Sequence, residues 1–145
     1  MALSPKDARI AEMNRFLDAL EQAARASPAV FDQTFKAPPA GLSVHEINTE
    51  KKFLRVSPAH RAILGYNPAE MVGRSPLDYV VMRGLSESAT SRKLSPGAVL
   101  APNTRTFRKA DGGEISLLQV ERHLKDATGK VIGIRTVITE APLGV

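Results

Sequence analysis

Three histidines carry the most versatile chemistry in this sequence, because imidazole can exchange protons or bind metals near neutral pH. His45 precedes Glu46 in a segment that alternates as a strand does, so the two side chains should point to opposite faces. His60 and His123 have no second ligand at the spacing of a zinc site. The chain has no cysteine, which excludes disulfides, thiolate metal sites and a cysteine nucleophile. We therefore predict no catalytic residues, no metal site and no enzyme activity.

Positive charge is concentrated in one segment of the chain. The 145 residues carry a formal net charge of +5, and residues 83–109 hold six Lys and Arg against one Glu. Such a segment attracts anionic ligands or acidic partners, although an ordinary solvated surface carries a similar density of charge. Phe107 is the only aromatic residue there, so no stacking platform accompanies the cations. Direct binding of nucleic acid is therefore not predicted.

An apolar stripe runs along the first helix that the sequence predicts. Ser4-Pro5 begins this helix by N-terminal capping, and apolar residues then recur at alternating spacings of three and four as far as Ala24. Such a stripe packs either on the sheet of its own domain or on the same helix of a second copy. We predict a homodimer whose contact is formed by four residues of the stripe: Ile10, Met13, Leu17 and Leu20.

The remainder of the chain predicts an α+β fold. Three short helices, each preceded by a stop signal, should follow the second strand, and one longer helix fits residues 84–94. Both faces of the strand at 114–124 carry apolar side chains, so both faces should be covered, one by the central helices and one by the N-terminal helix or a partner. Alternation with a period of two predicts five strands, near residues 42–47, 53–56, 103–109, 114–124 and 131–139.

The most specific motif is the nonapeptide Gly65-Tyr66-Asn67-Pro68-Ala69-Glu70-Met71-Val72-Gly73. Asn67 and Glu70 predict a capping box around a short helix whose first residue is Pro68. Gly73 supplies the left-handed exit from that helix. Two turns with one capped helix between them are therefore expected here.

Together these motifs resemble the PAS family of sensor domains. The matching segments are a strand entering a central helix, the capped helix, a strand-to-hairpin step and a last hairpin, at residues 53–59, 63–73, 107–112 and 124–133. The resemblance implies a PAS fold, with a five-stranded antiparallel sheet, central helices on one face and an N-terminal helix. It also implies three segments: an N-terminal helical extension at residues 1–37, a PAS domain at residues 38–140 and a tail at residues 141–145. Val137-Ile138-Thr139 lacks the Asp with which many family members end the last strand.

The resemblance also implies a ligand pocket between the inner face of the sheet and the central helices. Alignment with family members that hold a flavin places eight residues at this pocket: His45, Phe53, His60, Arg105, Phe107, Leu117, Gln119 and Arg135. Two arginines and two histidines around one cavity would suit a molecule that bears a carboxylate or a phosphate. The alternative is that these polar side chains pair with one another or reach solvent.

The cofactor stays open at this point. A flavin adduct with cysteine is excluded by composition, whereas non-covalent flavin is not. Residues 75–101 contain no histidine, so the helices on which family members carry a haem ligand have none, and His45 or His60 would have to serve in an unfamiliar role.

The resemblance implies a sensory domain of a signalling or transcription-regulatory protein. It would bind a small, anionic molecule and relay the signal through its termini to an effector domain or partner protein. We expect a cytoplasmic location and no membrane contact, because no apolar run approaches the roughly 20 residues that span a bilayer. The alternative is a PAS-type module for dimerisation or protein interaction that binds no ligand.

Overall fold

The computed structural model describes residues 3–142 and confirms the α+β class. The helices are α1 (Pro5–Ala26), α2 (Pro28–Lys36), α3 (His60–Leu64), α4 (Pro68–Met71) and α5 (Arg83–Leu94), with a 3-10 turn at Pro76–Asp78. The strands are β1 (Ser43–Asn48), β2 (Phe53–Val56), β3 (Asn103–Arg108), β4 (Glu114–Lys125) and β5 (Val131–Glu140). Of the predicted tail, residues 143–145 lie outside the described residues.

One antiparallel sheet organises the chain, in the order β2-β1-β5-β4-β3. β5 lies at its centre, where Val137 stands opposite Val44 of β1 and Val120 of β4. Directly opposite residues share a face, so these three valines mark one face, here called the outer face. Ile134 and Ile138 have the other parity and belong to the inner face.

α1 and α2 cover the outer face of the sheet. Met13, Leu17 and Leu20 have no exposed surface and pack in one apolar cluster with residues of β1, β4 and β5. Ile10 is partly buried against the same cluster. The expected contact between two copies through Ile10, Met13, Leu17 and Leu20 is thereby corrected, because the sheet of the same chain already encloses the stripe. A homodimer stays a prediction without an assigned surface.

The central helices cover the inner face. Leu64 of α3, Met71 of α4 and Leu77 of the 3-10 turn are buried in a second apolar cluster. The Tyr66 hydroxyl donates to the Arg108 carbonyl at 2.7 Å, which ties the turn after α3 to β3. Both faces of the sheet are therefore covered within the described part of the chain.

The capped helix of the nonapeptide is present, with one difference. The Asn67 side chain accepts from the backbone N–H of Ala69 at 3.1 Å, two residues on rather than three. The predicted capping box with Glu70 is wrong, because α4 has four residues and its first turn is closed by the Asn67 carbonyl, which accepts from the N–H of Glu70. A capping box forms instead between Ser75 and Asp78 at the start of the 3-10 turn.

Gly73 has the expected left-handed conformation, with a φ of 87°. A Cβ built at this position would meet no atom within 4 Å, so backbone strain alone decides the effect of a larger residue. We expect Gly73→Val to lose about 1–2 kcal/mol of unfolding free energy, and Asn67→Ala about 1 kcal/mol through the lost cap. Urea unfolding measures both. Gly84→Ala in α5 is the control and should not destabilise, and a Gly73→Val protein as stable as the parent would contradict the assigned turn.

Candidate functional site

A small cavity lies between the inner face of the sheet and α5. α5 presents little apolar surface to the sheet, because its buried residues are Ser86 and Thr90. The cavity measures about 20 Å³, which is room for about one water molecule. It is lined by His45, Ile47, Pro76, Thr90, Lys93, Arg105, Phe107, Gln119, Glu121, Ile134 and Thr136.

Glu121 is the carboxylate of this site and accepts three hydrogen bonds. The donors are Lys93 Nζ at 2.6 Å, Thr136 Oγ1 at 2.8 Å and Asn103 Nδ2 at 3.0 Å. Burial alone would raise the pKa of Glu121, but the Lys93 charge and the three hydrogen bonds lower it below the ordinary value. Burial lowers the pKa of Lys93, and Glu121 opposes that change. The pair joins α5 to β4 across the cavity.

Arg105 is the cation of this site that has no acidic partner. Its Nη1 donates to Thr90 Oγ1 at 3.4 Å, and within residues 3–142 no carboxylate lies within ion-pair distance of it. Burial lowers the pKa of Arg105, and the charge of Glu121 opposes this. Lys93, Arg105 and Glu121 together therefore leave one positive charge in excess at the cavity.

A buried hydrogen-bonded chain runs behind the cavity. Ser43 Oγ contacts Ser57 Oγ and His60 Nδ1, and His60 Nε2 lies 3.1 Å from His45 Nδ1. The edge of the His45 ring meets the ring of Phe53, with 4.9 Å between the centroids. Burial lowers the pKa of His45 to about 4 and holds that of His60 well below its ordinary value. Both imidazoles are therefore neutral at physiological pH and serve as hydrogen-bonding groups.

Seven of the eight predicted pocket residues come together on the inner side. His45, Arg105, Phe107 and Gln119 line the cavity itself. The other three are buried next to it in the inner layer: Phe53, His60 and Leu117.

Arg135 lies on the opposite face, so its expected place at the pocket is wrong. Its Nε and Nη2 donate to Glu46 Oε2, each at 2.8 Å, and its guanidinium lies 5.0 Å from the ring centroid of Phe31 in α2. The register of β5 sets this placement, because Arg135 stands opposite Glu46 and Arg122, which both face outward. Arg135 therefore anchors α2 to the sheet.

Several residues that line the cavity were missed by the sequence reasoning, among them two polar residues of α5. Thr90 and Lys93 come from α5, which carries no apolar stripe to orient it. Ser86, Thr90 and Lys93 recur at spacings of four and three, so they share one face of α5. This polar stripe could have indicated which face of the helix meets the sheet. Two of the six cations of the basic segment, Lys93 and Arg105, therefore point inward rather than into solvent.

A larger groove lies elsewhere on the surface. It measures about 970 Å³ and opens to solvent between the start of α1 and the end of β5. Its Arg9 is already paired with Glu12 at 2.6 Å. Across residues 3–142 no cluster of His, Asp and Glu could hold a metal ion, and no helix has the length and hydropathy to cross a bilayer.

Comparison with known proteins identifies the fold. No family model matches the chain, and no curated protein matches its sequence. A PAS domain from Colwellia psychrerythraea is similar in structure, with 14% identity, a TM-score of 0.64 and coverage of 83% of this chain and 95% of that one. The PAS-B domain of Drosophila melanogaster Cycle, with bound ethylene glycol, has 19% identity, a TM-score of 0.58 and coverage of 67% and 97%.

A third similar structure belongs to a signalling enzyme. It is the N-terminal domain of a diguanylate cyclase with a PAS/PAC sensor from Marinobacter aquaeolei, with 14% identity and a TM-score of 0.59. It covers 68% of this chain and 93% of its own. The sheet order, the central helices and these similarities agree, and this chain has the PAS fold, the fold of sensory domains in signalling proteins.

Proposed function

We propose that this chain is a sensory domain that binds a small anionic molecule between α5 and the inner face of the sheet. The observation that carries the proposal is Arg105, a partly buried cation without an acidic partner in residues 3–142. A buried charge that is not compensated is costly, and an anion at the cavity would compensate it. The domain would act inside the cytoplasm and report to an effector domain or partner protein.

Entry of a ligand requires α5 to move, because the cavity holds about one water molecule. Besides the packing of Leu94 on the inner cluster, three polar contacts keep α5 on the sheet: the Lys93–Glu121 pair, the Thr90–Arg105 hydrogen bond and the contact from His123 Nε2 to the Lys93 carbonyl at 2.7 Å. Each of them can be exchanged for a contact with ligand or water. A ligand that binds the displaced state more tightly would shift α5 and so change the surface that an effector meets.

A second candidate function is an interaction module that binds no ligand. It is favoured by the small cavity and by the pairing of Glu121 with neighbouring side chains. Its contact surface would lie away from α1, whose stripe is buried. Leu54 and Val72 are about half exposed beside a groove of about 430 Å³ at the β2 edge, and they form the apolar surface that this function would use.

The test is a thermal-shift screen of small carboxylates and phosphates against the parent, Arg105→Gln and Arg108→Gln. We expect Arg105→Gln to weaken binding by about 10- to 150-fold, because a charge-assisted hydrogen bond contributes about 1.5–3 kcal/mol. Arg108 is the matched control, since it lies on the same strand with an exposed side chain. Equal protection of the parent and both variants would remove Arg105 from the site, and no protection by any anion would favour the interaction module.

A further inference from the structure

Two buried amide oxygens at the cavity end of the sheet have no hydrogen-bond partner. They are Gln119 Oε1 on β4 and Asn103 Oδ1 on β3, and the two residues stand opposite each other in the register. Gln119 is 3% exposed and lines the cavity. A buried polar atom without a partner destabilises the fold, because it has lost its hydrogen bonds to water. An occupant of the cavity that offers a hydrogen bond to Gln119 would recover this cost.

Arg105 and Gln119 line the same cavity. Arg105 stands opposite Leu117, and Gln119 is two residues further along β4, so the pair are diagonal neighbours on the inner face. The Cα atoms of diagonal neighbours are about 7–8 Å apart, which side chains of this length can bridge to one small molecule. The Arg105 guanidinium and the Gln119 amide can therefore bind two polar groups that lie close together on one ligand.

We propose that the ligand is a short-chain hydroxycarboxylate, with its carboxylate at Arg105 and its hydroxyl at Gln119. This rests on the proposed function and adds the chemical class of the ligand. The walls that Phe107, Ile134 and Pro76 form around the cavity suit a short carbon chain.

The net charge of the site favours a hydroxyl, rather than an ammonium or a second carboxylate, as the ligand group that contacts Gln119. Lys93, Arg105 and Glu121 leave one excess positive charge, which a monoanion cancels. An amino acid is neutral overall and leaves that charge uncompensated, whereas a dicarboxylate overcompensates it. A hydroxyl both donates and accepts, so it also matches either rotation of the Gln119 amide.

The experiment compares pairs of ligands that differ by one hydroxyl. Lactate and propionate are titrated by calorimetry into the parent, Gln119→Met and Arg108→Gln, with alanine as the zwitterionic probe. We expect the parent and Arg108→Gln to bind lactate about tenfold more tightly than propionate, the effect of one hydrogen bond. In Gln119→Met the two acids should bind equally. The ratio is taken within each protein, so a general loss of stability cancels, and Gln119→Leu replaces a Gln119→Met variant that does not fold.

Each other result overturns one part of the proposal. Equal binding of lactate and propionate by the parent would refute the hydroxyl contact and leave the anion sensor in place. Tighter binding of alanine than of lactate would refute the charge argument. A preference for lactate that persists in Gln119→Met, or in Gln119→Leu where that variant replaces it, would remove Gln119 from the site. Binding of neither acid by the parent would refute the hydroxycarboxylate, whereas the anion sensor fails only when the wider screen of carboxylates and phosphates is also negative.

Discussion

Acidification from neutral pH to about 5 is expected to lower the free energy of unfolding by about 2 kcal/mol through His45 alone. Burial holds the pKa of His45 at about 4 in the folded chain, against 6.5 for an ordinary histidine. The unfolded chain therefore takes up a proton in this range and the folded chain does not. Stability is lost as the pH falls below about 6.5, and the loss is complete near pH 4. His60 adds to the loss, because burial lowers its pKa in the same direction.

Urea unfolding at several pH values between about 7.5 and 5 measures this effect. Carboxylates contribute little there, since their ordinary pKa values lie near 4. The variant is His45→Gln, whose amide can still hydrogen-bond to His60 but cannot take up a proton. Its stability should depend less steeply on pH than that of the parent. The same slope in both proteins would show that His45 does not resist protonation in the folded chain.

Gly133→Ala is expected to lower the free energy of unfolding by at least about 3 kcal/mol. A Cβ at Gly133 would lie 2.1 Å from the Ile47 carbonyl oxygen, where β5 pairs with β1. This oxygen belongs to the backbone, so no side-chain rotation relieves the clash. The two strands would have to separate at the centre of the sheet. Ile47 and Ile134 pack in the inner cluster, and the separation of the strands would remove some of their contacts there.

Circular dichroism and urea unfolding of Gly133→Ala test this prediction, with Gly84→Ala as the matched control. A Cβ at Gly84 meets nothing within 4 Å, and alanine favours helix over glycine by about 1 kcal/mol. The control should therefore be as stable as the parent or more so. A Gly133→Ala protein that unfolds at the same urea concentration as the parent would show that β1 and β5 can separate locally at no cost.

Local sequence patterns predicted the helices and strands. They did not predict which partner or which face each side chain meets, because the register between the strands decides this. The stripe from Ile10 to Leu20 indicated a buried helix face, but the spacing is the same for a partner within the chain and for a second copy. Arg135 was placed on the wrong face because a shift of one residue exchanges all the side chains of a strand. Arg135 lies on the outer face because it stands opposite Glu46 of β1. A local pattern does not reveal this pairing, since it joins segments about 90 residues apart.

The inner site was predicted in part for a similar reason. Gln119 and Arg105 were found through the resemblance, which supplies a face for each strand. Lys93 could not be found in this way, because α5 is oriented by polar contacts whose partners lie on strands β3 and β4. The hydrophobic pattern of a sequence does not predict such polar contacts.

The position of β5 has a consequence for synthesis on the ribosome. This strand is the centre of the sheet and yet the last element of the described chain. While the polypeptide emerges, β1 lacks one of its two neighbouring strands, and the α1 stripe has no completed surface to cover. The fold can close only after the last residues of β5, as far as Glu140, have left the exit tunnel. Until then the apolar face of α1 is a target for chaperones and for other nascent chains.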